Sequence, residues 1–415
     1  MRTYERTHPW IRFELDLATA PPKLWLALGE ALSKCQHLSG VALKPEVAEK
    51  LHLINLAKGV LATAAIEGNT LTEKEAIAIV ENKSDLPKSQ GYLKKEIENI
   101  LAAANFIVDQ IEKDGPKPII PTDIKTYNKM ILEGLEVDNY VIPGEYVKTD
   151  IGVPGYRGAP WQEAPYLVER LCKWLNSDTF NPPAEDERVI SGILKSIIAH
   201  LYLVWIHPFG DGNGRTARLL EVRFLMEAGT PSAAAHLLSN FYNKTRAYYY
   251  RRLDEASKNG GDIRNFLLYA TTGFVDELRS QLKIVKHEQW LVAWTNYVHE
   301  KFHGRERIAD RRQLKLILAL TGRPGFTPRS EVRRLTPELA EAYATKTAKT
   351  LSRDVNELEA HGLLEKNKDG IRATNEQILS FLPRSRKGER EAQIREAQVQ
   401  GEVLIDENEQ LDLPI

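Results

Sequence analysis

The longest regular signal in the chain runs from Val189 to Ile206. Apolar residues recur there as closely spaced doublets: Val189 and Ile190, Ile193 and Leu194, Ile197 and Ile198, Leu201 and Tyr202, then Trp205. This spacing predicts a helix whose broad apolar face sits inside a core. A second helix is expected from about Gly214 to Met226, stopped by Gly229 and Pro231. Upstream, Leu53 to Glu67 reads as a helix ended by Gly68-Asn69, and Thr72 with Glu75 forms a capping box that opens another. Strand signals are sparse before residue 300. The best is Ile151-Gly152-Val153, beside a turn-rich stretch from Pro154 to Pro160. A charged stretch at 303–312 precedes a new apolar period starting at Leu314. Within it, Thr345 to Leu358 reads as an amphipathic helix with Ala348, Leu351, Val355 and Leu358 inward, followed by a possible strand pair at 363–366 and 370–373. The fold class expected from these periods is mainly α.

Composition narrows the picture a little. A chain of 415 residues has room for two or three domains. With 42% hydrophobic and 27% charged residues it matches an ordinary globular protein. A formal net charge of −1 excludes a whole-chain field directed at nucleic acid or a membrane surface. Cys35 and Cys172 stand far apart with no neighbouring Cys or His, so they are expected to be reduced structural thiols and not a disulfide framework or zinc site. The first residues lack the apolar region of a secretory signal, and Lys195 and His200 interrupt the most apolar helix. The expectation is a soluble, cytoplasmic protein without a membrane partner.

Candidate chemistry concentrates in one loop, His207-Pro208-Phe209-Gly210-Asp211-Gly212-Asn213-Gly214-Arg215-Thr216-Ala217-Arg218. It joins the two strongest helices, so Gly212, Asn213 and Gly214 fall at a helix N-terminus, where free backbone N–H groups and the helix dipole favour an anion. Arg215 and Arg218 are three apart, on one face of the first turn. Cations there oppose the dipole, a local conflict that a bound polyphosphate removes while pairing both guanidinium groups. Asp211 is placed to hold a magnesium ion bridging phosphate oxygens. His207 is the natural general base at neutral pH.

The loop resembles the signature of the Fic family, His-x-Phe-x-(Asp/Glu)-Gly-Asn-Gly-Arg-x-x-Arg, and matches it at every specified position. The resemblance implies a helical Fic core and transfer of AMP from ATP to Ser, Thr or Tyr hydroxyls of proteins, self-modification included. It implies His207 as catalytic base and Asp211 as magnesium ligand. Gly212, Asn213 and Gly214 then cradle the phosphates, Arg215 and Arg218 hold the β- and γ-phosphates, and Phe209 anchors the loop. Thr63-Ala64-Ala65-Ile66-Glu67-Gly68 similarly resembles the family's inhibitory motif, (Ser/Thr)-x-x-x-Glu-(Gly/Asn), in which the Glu pairs with the loop's second arginine. Glu67 and Arg218 are both disfavoured by their local helix dipoles, and each would satisfy the other. The family's β-hairpin flap fits Ile151 to Pro160, although the Gly-x-x-Arg usual just upstream is here Gly144-Glu145-Tyr146-Val147. Tyr249 and Tyr250, with Asn240 and Asn243 as weaker candidates, resemble residues of the ATP-binding adenine pocket.

The C-terminal segment resembles a winged helix-turn-helix domain, with Lys346, Lys349, Thr350 and Arg353 forming a polar face for DNA and Arg372 on the wing. The expected organisation is an N-terminal helical region carrying the inhibitory helix (1–115), a Fic core (116–285), a helical linker (286–312), a winged-helix domain (313–383) and a charged tail (384–415). A homodimer is expected, with DNA a further possible partner. Against an AMP transferase restrained by Glu67 stand three alternatives: removal of AMP from modified proteins, transfer of another nucleotide or of phosphocholine, and a DNA-binding regulator whose core only senses nucleotide.

Overall fold

Thr72 opens a helix in the computed structural model as its sequence dictates: its Oγ1 accepts Glu75 N–H, and Glu75 Oε2 accepts the N–H of Thr72 at 2.7 Å. The structure describes residues 2–153, 156–182, 184–323, 325–375 and 378. The expected charged tail at 384–415 lies outside the described residues. The chain divides into two units, Met1–Leu282 and Lys283–Ile415.

The first unit is helical. In chain order it contains α1 (Thr3–Thr7), α2 (Pro22–Ser39), α3 (Pro45–Ile66), α4 (Glu73–Val80), α5 (Gly91–Asp114) and α6 (Pro121–Leu132). A two-stranded hairpin follows, β1 (Gly152–Val153) antiparallel to β2 (Tyr156–Arg157), where the flap is expected; Pro154 and Gly155 lie outside the described residues. After it come α7 (Ala164–Leu175), α8 (Glu185–Ile206), α9 (Asn213–Glu227), α10 (Leu237–Lys244), α11 (Arg246–Lys258) and the start of α12 (Arg264–Phe302). Helix α8 is the predicted core helix, with Ile193, Ile197, Ile198, Leu201 and Ile206 sealed from solvent. Its stretch Glu187–Ile206 is, among the described residues, the one helix long and apolar enough to cross a membrane, and 72% of its most apolar window is buried inside this fold. Helix α9 returns along α8, the most extensive pairing between elements, so the loop joining them is held at the ends of two buried helices.

Helix α3 begins at Pro45, eight residues before the periodicity at Leu53 becomes regular, because Pro45 and Glu46 supply a favourable first turn. Its last three turns are buried on most sides, at Ala57, Val60, Leu61, Ala62, Thr63, Ala64 and Ile66, and α3 packs against α4, α5, α9 and α10. Cys35 and Cys172 are buried free thiols.

The second unit contains the end of α12, then α13 (Ile308–Leu320), α14 (Pro337–Tyr343), α15 (Ala348–Ala360) and an antiparallel hairpin, β3 (Leu364–Lys366) with β4 (Ile371–Ala373). Residues 286–312, expected as a linker, contribute Trp294, Val298 and Phe302 to this unit's core. On α15, Leu351, Val355 and Leu358 face inward as expected, but Ala348, at the first turn, is exposed. The inward position is taken instead by Asp354, which receives both Arg312 Nε (2.6 Å) and Arg312 Nη2 (2.9 Å) and the hydroxyl of Tyr343 at 2.8 Å. Lys346, Lys349 and Arg353 are exposed. Arg372 on the hairpin is held by Glu365 and lies over the Phe326 ring.

Candidate active site

Helix α8 ends because His207 adopts a left-handed backbone, φ 52° and ψ 56°. For a residue with a Cβ this costs on the order of 1–2 kcal/mol, so the surroundings must enforce it. They do so through the loop that follows. Asn213 closes it from inside, donating Nδ2–H to Phe209 O at 2.8 Å and accepting Phe209 N–H at 3.0 Å. Phe209 is 1% exposed, beside the Tyr146 ring. Val147 donates its N–H to Pro208 O at 3.0 Å, so the segment lacking the family's usual arginine still pairs with the loop backbone. Asn128 of α6 donates to Asp211 O at 2.9 Å and accepts Gly144 N–H at 3.0 Å. Gly212 then takes φ 76°, which suits glycine, and α9 begins at Asn213 with its first amides free of helical partners.

The imidazole of His207 has a defined orientation. Its Nδ1 lies 3.3 Å from Val204 O, a carbonyl that can only accept, so Nδ1 carries the proton and Nε2 the lone pair. Burial pushes its pKa below the ordinary 6.5, although Val204 O, Glu67 and Asp211 act in the other direction. The ring is therefore a neutral base at pH 7. The flap closes against it: a Cβ on Gly158 would come within 2.8 Å of His207 Cβ. The flap is fastened by Tyr156, whose hydroxyl donates to Trp205 O at 2.7 Å.

Both arginines are held in the interior. Arg215 sends Nη1 to Glu96 Oε1 at 2.6 Å and Nη2 to Asp211 Oδ1 at 2.9 Å. Arg218 sends Nη2 to Glu67 Oε1 at 2.5 Å and to Thr63 O at 3.0 Å. Burial disfavours their charge, yet the facing carboxylates hold both pKa values above the usual guanidinium range. Among the described residues, the buried Nε of each arginine has no hydrogen-bond partner, leaving two orphaned cationic donors at one helix N-terminus. Glu67 caps the end of α3, and a Cβ on Gly214 would collide with its Oε1. Only glycine at 214 allows that approach. Burial tends to raise the Glu67 pKa, but Arg218 prevails and holds it below 4.5.

Asp211 has a side chain 41% exposed, with Oδ1 on Gly212 N–H and Arg215. Among the described residues there is no cluster of three or more His, Cys, Asp or Glu able to cage a metal. A single open carboxylate fits magnesium, which keeps waters and takes phosphate oxygens as its other ligands. Of the two tyrosines, Tyr249 is enclosed: it stacks on Tyr242 at 4.7 Å, and its hydroxyl lies 2.8 Å from His200 Nε2. Tyr250 is 45% exposed, with its hydroxyl on Ile66 O at 3.3 Å. Asn240 and Asn243 are half-buried. Sequence reasoning misses Glu96, Asn69 and Gly158. Glu96 sits in an ordinary helical pattern with no local signal, whereas Asn69 after Gly68 and the small Gly158 in a turn-rich stretch carry faint ones.

Residues 118–225, which include the flap, α8 and the loop, match the model of the Fic/DOC family. That segment is similar to a Fic domain. It is 30% identical over 205 residues to "Protein adenylyltransferase Fic" of Nematostella vectensis, covering 49% of this chain and 44% of that protein. It is 33% identical over 211 residues to "Protein adenylyltransferase fic-1" of Caenorhabditis briggsae, covering 50% and 37% respectively. The chain thus spans less than half the length of these curated relatives. Among solved structures, a Fic family protein from Desulfovibrio desulfuricans aligns with TM-score 0.52 at 20% identity, over 88% of this chain and 94% of that one. Fic-1 of C. elegans (aa134 - 508) aligns with TM-score 0.50 at 25% identity, over 63% and 72%. The expected mainly helical Fic fold is what the structure has.

Proposed function

We propose that this protein transfers AMP from ATP to hydroxyl groups of proteins and is held inactive by Glu67. The observation that carries the reading is the juxtaposition of a neutral His207, its Nδ1 engaged by Val204 O at 3.3 Å, with two buried arginines whose Nε atoms lack partners at the start of α9. The curated relatives' name, protein adenylyltransferase, supports the same assignment.

The chemistry follows from these groups. The first amides of α9, with Arg215 and Arg218, bind the phosphates of ATP. His207 Nε2 takes the proton of an incoming Ser, Thr or Tyr hydroxyl. That oxygen forms a bond to the α-phosphorus while the bond to pyrophosphate breaks, and the arginines meet the negative charge that leaves. Asp211 would hold magnesium, which supplies charge neutralisation on the phosphate oxygens. The flap, closed over His207, is suited to pairing with an extended target segment, of another protein or of another copy of this chain. Glu67 opposes all this by occupying the Arg218 guanidinium and the space over Gly214.

The test uses α-labelled ATP, magnesium and a cell lysate with wild type, Glu67→Gly and His207→Ala in the Glu67→Gly background. Label on protein is expected with Glu67→Gly alone. Equal labelling with and without His207 overturns the transfer mechanism.

A further inference from the structure

The turn after α3 carries two side chains that reach opposite ways. Glu67 goes to Arg218, while Asn69 donates Nδ2–H to Glu96 Oε2 at 2.9 Å and to Leu93 O at 3.0 Å. The Oδ1 of Asn69 accepts Leu71 N–H at 3.0 Å. Between them Gly68 takes φ 110°, so the turn is tight and its shape depends on what fixes each side. Asn69 and Glu96 are 6% and 4% exposed. The other oxygen of Glu96 receives Arg215 Nη1 at 2.6 Å, and Arg215 continues to Asp211. A single file of buried, charge-assisted hydrogen bonds therefore runs from the turn bearing Glu67 to the start of α9.

The geometry points to Asn69 and Glu96 as positioning residues that latch the Gly68 turn, hold Glu67 on Arg218, and tie that latch to the carboxylate that aims Arg215. The inference rests on the reading of Glu67 as a brake and adds what keeps the brake in place. It also couples the two arginines. A phosphate that shares Arg215 with Glu96 loosens the carboxylate on which Asn69 depends, so seating of the nucleotide and release of the turn are linked.

The test uses the full chain, with Asn69→Ala made in the wild type and in the Glu67→Gly background. Two quantities are read: label transfer from α-labelled ATP, and amide hydrogen exchange across residues 64–71. A hydrogen bond to a buried ionised group is worth roughly tenfold in an equilibrium, so Asn69→Ala should raise transfer and exchange by about that factor. In the Glu67→Gly background it should change transfer by less than about twofold, because no brake remains to be latched. A merely structural role would act equally in both backgrounds, and that result overturns the latch. Glu96→Gln should speed the same exchange, and wild-type exchange in that variant removes Glu96 from the latch. If Glu67→Gly itself does not raise transfer, the brake reading fails. Exchange then still decides the latch: unchanged rates in Asn69→Ala refute it and faster rates support it. Should Asn69→Ala not fold, Asn69→Asp keeps the acceptor for Leu71 N–H but sets a carboxylate against Glu96, and reads the same outcomes.

Discussion

Replacing Glu67 with glycine removes the carboxylate that stands 2.5 Å from Arg218 Nη2, in a pair whose side chains are 33% and 1% exposed. A hydrogen bond of this charged kind has a net worth of roughly 1.5–3 kcal/mol. As a bias against seating phosphate on Arg218, it corresponds to about ten- to a hundredfold in apparent affinity. The initial rate of AMP incorporation from α-labelled ATP, at nucleotide well below saturation, should rise by that factor. A second effect has the opposite sign. Without nucleotide, Glu67→Gly leaves a buried guanidinium without its charge partner, at a cost of about 3 kcal/mol. The variant's Tm should therefore fall in the apo state, and added ATP with magnesium should raise it more than in wild type. Unchanged transfer refutes the brake. If Tm is also unchanged, the ion pair itself carries no energy, whereas a lowered Tm with unchanged transfer shows an ion pair that is only structural.

His207→Ala in the Glu67→Gly background should lower transfer by about 10²–10⁴-fold while leaving ATP binding, read by calorimetry, near its parent value; a smaller loss in rate would remove His207 as the base. The kcat/KM of Glu67→Gly should be flat at neutral pH and fall only as pH drops through a value below 6.5, since burial depresses the His207 pKa and protonation abolishes the base; an acid limb above 6.5 contradicts the site's electrostatics. The brake behaves differently with pH. Arg218 holds Glu67 below 4.5, so its contribution persists above that range and is lost only as pH falls through the lowered value. Wild type assayed at pH near 5 should therefore remain inactive, and activation there would show a weaker pair. In the Glu67→Gly background, Gly158→Ala should retain the fold but cut transfer by about a hundredfold, because the new Cβ presses on His207 and small misplacements of a reacting group are costly; unchanged rates would mean the flap yields freely.

How much of this was legible in the sequence depended on whether a residue broke a local rule. Arg215 and Arg218 oppose the dipole at the start of α9, and Glu67 opposes it at the end of α3, so each advertised a partner outside its own helix. Arg218 and Glu67 find each other, so that pair was readable for this reason, whereas Arg215 finds Asp211 and, on α5, Glu96. Glu96 breaks no rule: a glutamate inside α5 is unremarkable until folding sets it against Arg215, 119 positions away. Asp354 also lacked a signal for its partner: three residues after Leu351 and four before Leu358 it lies on the apolar face of α15, where Arg312 from α13 pairs with it. The stretch 286–312 was expected as a helical linker, and its core role was not readable, since Trp294, Val298 and Phe302 stand among polar residues yet enter a core.

The two arginine–carboxylate pairs are not equivalent, and the difference says where activation must act. Glu96 is 5% exposed at its side chain, lies inside a helix, and is bonded to Asn69 as well as to Arg215. Displacing it means stranding a charge in the interior, which is the expensive way to break an ion pair. Glu67 is 33% exposed, lies just past the last residue of α3, and is followed by Gly68 at a φ of 110°. It can swing into water with its charge intact, so its departure is opposed by the hydrogen bond to Arg218 and by the Asn69 contacts that fix the turn. An incoming nucleotide can thus be expected to share Arg215 with Glu96, but it must take Arg218 from Glu67. If Glu67 is the brake proposed above, control of this site reduces to the stability of one turn.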